Sequence, residues 1–95
     1  MIRSILLFKF KPDTTDAQIE AFHQALASVP FERRRTFEFH RDLRLTDDAM
    51  DAIVIADFDD EAAYRAWVDD PAHNHVRSTY LDPIRGQRER ILFEV

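Results

Sequence analysis

The segment DDPAHNHV, residues 69–76, holds two of the four histidines of the chain, His73 and His75, one residue apart. Imidazole changes charge between pH 5 and 8 and is the commonest metal ligand, so the pair raises two chemistries, proton transfer and metal binding. Local signals separate them. Asp70 followed by Pro71 reads as a helix start: the aspartate accepts orphan backbone N–H bonds, and proline gives up a donor that would go unused at the first helical position. A helix is predicted over 71–81, bounded by Pro83. Residues two apart on a helix diverge by roughly 200°, so His73 and His75 cannot clasp one metal ion. His73 shares a face with Val76, Arg77 and Tyr80, while His75 projects into solvent. In the first turn His73 feels the positive end of the helix dipole, which favours the neutral imidazole. Beside an apolar cavity such a ring can act as general base or hydrogen-bond donor. It can equally be a structural peg on a backbone carbonyl.

Other candidate groups are fewer. Glu38, His40 and Asp42 alternate along a predicted strand and could hold a divalent ion, but an edge strand also blunts its exposed face with such charges, and that reading is preferred. His23 borders the apolar stripe of a helix and is expected to keep one ring nitrogen in water. The absence of cysteine excludes disulfides, thiolate metal sites and a cysteine nucleophile. Gly86 is the only glycine, so no Gly-rich phosphate cradle can form. No cofactor or metal is expected.

Thirteen basic against eighteen acidic residues give a net charge of −5, which argues against a nucleic-acid partner. The basic clusters RRR at 33–35 and RGQRER at 85–90 read as solvated strand ends. The opening MIRSILLFKFKP has too short an apolar run for a membrane span and lacks a small-residue cleavage site, so a cytoplasmic location is expected.

The elements that must position these groups follow from periodicity. Residues 2–11 alternate as a strand, with Ile2, Ser4, Leu6, Phe8 and Phe10 on one side. Thr15 with Gln18 forms a capping box for a helix whose stripe is Ile19, Phe22, Leu26 and Val29. A second strand spans 34–44, with Phe37, Phe39 and Leu43 on one face, and a third spans 50–58. Asp59 or Asp60 caps a helix carrying Ala63, Tyr64, Trp67 and Val68, and RERILFEV is the last strand. The order βαββαβ predicts an α+β, ferredoxin-like single domain over 1–95, a four-stranded antiparallel sheet with both helices on one face. Ile5, Leu7, Ile53, Ile55 and Leu92 are then left on the uncovered side. Such a patch exceeds what a soluble monomer usually exposes, so a homodimer joined through that face, with two sheets meeting at its centre, is expected.

The pieces IRSILLFKFKPDTT, FEFHRDLR, ADFDDEAAYRAWVDDPAH and ILFEV, in order over nearly the whole chain, resemble the stress-responsive α/β-barrel (Dabb) family, with PAH the most specific element. The resemblance implies a ferredoxin-like protomer pairing into a dimeric α/β barrel. It is distantly similar to a polyketide cyclase of that family, which works through a histidine and a tyrosine without metal or cofactor. His73 matches the cyclase histidine, but Trp67 stands in place of the tyrosine, and Ser4 and Ala52 replace two further histidines, so the dyad is incomplete. The implied pocket is walled by Ser4, Leu6, Phe8, Ala52 and Val54 from the strands and by Phe22, Trp67 and Val68 from the helices, with His73 at its mouth. Three readings follow: a dimeric protein binding a small aromatic or polyketide-like ligand, a cofactor-free enzyme of cyclase or monooxygenase type, or a structural dimer with a filled core.

Overall fold

In the computed structural model, which describes residues 1–95, Pro12 stands just past the first strand, β1 (Ile2–Phe10), and Thr15 opens the first helix, α1 (Asp16–Ala27). The capping box forms as the sequence predicts. Thr15 Oγ1 accepts from the Gln18 N–H at 3.1 Å, and the Thr15 N–H donates to Gln18 Oε1 at 2.9 Å. Strands β2 (Arg34–Arg41) and β3 (Ala52–Phe58) follow, then α2 (Glu61–Asp69). Of the two cap candidates for α2 it is Asp60 that accepts, from the Ala63 N–H at 2.8 Å. Helix α3 (Pro71–Val76) runs on without a break into a π-helical turn, Arg77–Leu81, and β4 (Arg85–Glu94) closes the chain.

The sheet order is β2-β3-β1-β4, all neighbours antiparallel. Helices cover one face only. On that side Phe8, Phe39, Val54 and Phe58 from the strands pack with Phe22, Leu26, Trp67 and Leu81 in a single buried cluster. Phe8 and Phe22 meet edge to face at 5.8 Å between ring centroids. Gly86 sits at a bulge, where the register shifts between Phe8 and Phe10. A Cβ there would lie 2.6 Å from the Lys9 carbonyl oxygen, so the close approach of β4 to β1 requires glycine.

Two expectations change. Strand β2 ends at Arg41, three residues early, and Leu43 lies beyond it, 80% exposed, because the chain turns there through Arg44 at φ 62°. Leu92 does not belong to the uncovered face. It stands opposite Ser4 in the register, and directly paired residues point to the same side, so Leu92 faces the helices. Ile91, opposite Ile5, and Phe93, opposite Arg3, take its place. Alternation within β4 separates Leu92 from Ile91 and Phe93 but cannot say which set meets the helices. The outer face therefore presents Ile5, Leu7, Ile53, Ile55, Ile91 and Phe93. Ile91 and Phe93 remain 59% and 39% exposed in the single chain. At one border the Arg3 guanidinium donates to both Asp57 carboxylate oxygens, at 2.8 and 3.1 Å.

Candidate functional site

Helix α2 stops at Asp69 because Asp70, preceding a proline, takes an extended conformation. The chain restarts at once as α3, with the Asp70 carboxylate accepting from the His73 N–H at 2.9 Å. At this break the Trp67 carbonyl accepts the capping Asp70 N–H at 3.2 Å, and His73 is set beside the same oxygen. His73 Nδ1 lies 2.8 Å from that carbonyl oxygen. A carbonyl only accepts, so Nδ1 carries the proton, and in the neutral ring Nε2 is the free acceptor. The imidazole also stacks on the indole, 4.1 Å between centroids with 20° between planes. Burial pushes the His73 pKa below its usual value. The hydrogen bond to Trp67 and the Asp70 carboxylate work against this, while Arg77 and Arg90 add to it. The direction favours the neutral ring, and burial is its leading cause. The peg and the free base coexist in one side chain.

His73 borders two small, partly open cavities between sheet and helices. One, about 70 Å3, has Leu6, Phe8, Phe22 and Leu26 as its apolar floor, Val68 in its wall, and Arg77, Arg88 and Arg90 with His73 around it. The other, about 30 Å3, is lined by Ser4, Leu6, Val54 and Trp67 together with Arg34 and Phe37. Eight of the nine expected site residues thus surround these two spaces. Ala52 does not: it is buried in the helix-side core at the start of β3, opposite Phe8, and borders neither space.

The arginines are what the sequence reading missed. Both basic clusters were expected to be solvated strand ends. Arg34 instead is half-buried, donating to the Leu26 and Ala27 carbonyl oxygens at 3.0 Å each, with its guanidinium over Phe37 and Trp67. Arg88 and Arg90 lie opposite Phe8 and Leu6, which turns both toward the helix side, where Arg88 is half-buried and Arg90 stays exposed as expected. Their spacing of two within a strand was the available signal, but only the register gives that side a meaning. Arg33 and Arg35 do lie at the surface.

The remaining histidines are apart from this site. His75 is exposed. His23 is half-buried and stacks on Phe39 at 4.4 Å. His40 Nε2 approaches Glu38 Oε1 at 3.1 Å, while the Asp42 carboxylate turns back to accept from the Arg44 N–H at 2.8 Å, so the three groups do not converge.

With sheet, bulge and slot in place, comparison with known proteins is informative. The model of the Stress responsive A/B Barrel Domain (Dabb) matches residues 2–95. The chain belongs to this family. No curated protein matches the Dabb chain in sequence. Among solved structures it is similar to a dimeric ferredoxin-like protein of unknown function from Thermobifida fusca, with 30% identity, 99% of this chain and 90% of that one covered, and a TM-score of 0.89. A Dabb family protein from Mesorhizobium loti shares 20% identity over 99% of this chain and 95% of its own, with a TM-score of 0.79. A hydroxynitrile lyase from Passiflora edulis shares 12% identity over 99% and 92%, with a TM-score of 0.86. The last two resemble the Dabb chain in fold alone.

Proposed function

We propose that this Dabb domain works as a homodimer whose slot between sheet and helices, reaching His73, binds a small aromatic or polyketide-like molecule. The observation that carries this reading is the state of His73: a stacked imidazole, its neutral form favoured, with Nδ1 fixed on the Trp67 carbonyl and Nε2 unengaged, bordering two cavities. An apolar slot with one oriented polar group is the usual form of a small-molecule site. The cavities are well below the roughly 300 Å3 of drug-sized pockets. The ligand is therefore a single ring or short chain, and its entry displaces Val68 and the turn Arg77–Leu81 that wall the larger cavity. π-helical turns recur at functional sites.

The dimer is supported by the outer sheet face, six apolar side chains without a covering helix, and by the Thermobifida fusca relative, itself described as dimeric. Burying each such side chain contributes on the order of 1.5–3 kcal/mol.

A second reading, cofactor-free acid–base catalysis at His73, is favoured by the same free Nε2, which can take a proton from a bound substrate. Trp67 donates a hydrogen bond but does not exchange a proton, so this chemistry rests on His73 alone. The test is a panel of aromatic acids, amides and polyketide-like compounds. A binder at 100 times its dissociation constant stabilises by about 2.7 kcal/mol, a melting shift on the order of 10 °C. A panel that leaves the midpoint unmoved refutes the slot. Turnover lost in His73→Ala with binding retained selects the enzyme over the binder.

A further inference from the structure

The geometry points to a slot built for an acid: an apolar aromatic or acyl body on the floor of the larger cavity, its carboxylate held by Arg77, Arg88 and Arg90. This rests on the slot reading above and names the class of its ligand.

Five arginines of the chain, Arg3, Arg35, Arg41, Arg44 and Arg65, pair with carboxylates, and Arg34 is engaged by the carbonyls ending α1. Arg77, Arg88 and Arg90 stand in no ion pair, yet in a chain of net charge −5 they gather at one cavity. Arg88 and Arg90 project from β4 on the same side, and Arg77 faces them from the start of the π-helical turn. Burial disfavours the charged form of Arg88, and the neighbouring cations Arg90, Arg85 and Arg77 disfavour it further. Asp82 is the carboxylate that opposes them. Unpaired like charges around an apolar floor are unfavourable until an anion arrives. Guanidinium forks match the two oxygens of a carboxylate, and the floor of Leu6, Phe8 and Phe22 suits the carbon body attached to it.

The test is titration of the wild-type protein at low ionic strength with matched pairs, benzoate against benzamide and phenylacetate against phenylacetamide, following the His73 ring signals by NMR. The acids are expected to bind at least tenfold more tightly than their amides. Arg88→Gln and Arg90→Gln should bring each pair within about twofold. Because each variant removes a repelled charge, each should melt no lower than wild type without ligand, which distinguishes ligand-binding cations from structural ones. Acids binding no more tightly than amides overturn the inference and leave the slot reading standing, as does inorganic phosphate competing with benzoate at equal affinity. Variants that lose stability yet keep the acid preference also overturn it. If no aromatic compound, charged or neutral, perturbs His73, the slot reading itself falls and takes the inference with it.

Discussion

The imidazole of His73 lies against the indole of Trp67 and donates from Nδ1 to the carbonyl oxygen of the same residue, so ring and backbone of one residue fix both the plane and the tautomer of the other. Protonating that imidazole places a charge in a half-buried position.

The pH dependence of stability follows with a definite sign. The folded pKa of His73 is lowered, whereas the unfolded ring titrates near about 6.5. Below that value the unfolded chain binds the extra proton, so stability is full above it and is lost as pH falls through the folded pKa. Denaturant midpoints between about pH 7.5 and pH 5 should fall for wild type and fall less for His73→Gln. Asp57 and Asp51 act in a lower window. The Arg3 hydrogen bond holds Asp57 below the usual carboxylate range. For Asp51 burial pushes upward, but the Phe10 N–H and Arg44 outweigh it. Their contribution is lost only as pH falls below about 4. Equal slopes for wild type and His73→Gln above pH 5 would count against this assignment.

The reassigned face of β4 is tested by charge insertion. Phe93→Asp places a carboxylate on the outer face beside Arg3 and Ile5, and Leu92→Asp places one on the helix side. Sedimentation should show the first as a single chain of 11.2 kDa and the second still at twice that mass. The reverse result would return Leu92 to the interface.

Gly86→Ala probes the bulge. The added Cβ meets a backbone carbonyl rather than a side chain that could swing away, so β4 must shift. A loss of about 1–3 kcal/mol is expected, within the usual range for overpacking. Chemical denaturation measures it, and an unchanged midpoint would show that the strands separate freely at that point.

Arg34→Ala removes two charged donors from the carbonyls ending α1 and uncovers Trp67 and Phe37. Hydrogen bonds to a charged group contribute roughly 1.5–3 kcal/mol, and a loss of that order is expected. Arg33→Ala, an exposed neighbour, should change stability by less than about 0.5 kcal/mol. Similar losses in both variants would mean that the cluster acts only through its charge.

Sequence alone determined the order of elements, the Thr15 capping box, the restart at Asp70-Pro71, the divergence of His73 from His75, and a sheet apolar on both faces. Each is a local or periodic property: capping needs neighbours three residues apart, and side-chain direction repeats every two residues in a strand or 3.6 in a helix. The family was legible too, through PAH after the helix bearing Trp67 and through the strand segments in their order along the chain. Tertiary structure alone decided that Leu92 faces the helices and Phe93 does not, that Ala52 stays outside the slot, that His73 finds the Trp67 carbonyl, and that Arg88 and the still exposed Arg90 come together with Arg77 at one cavity. These depend on pairing register and on distances between elements far apart in the chain. A strand carries two faces in its sequence, but only its partner's register says which one meets the core.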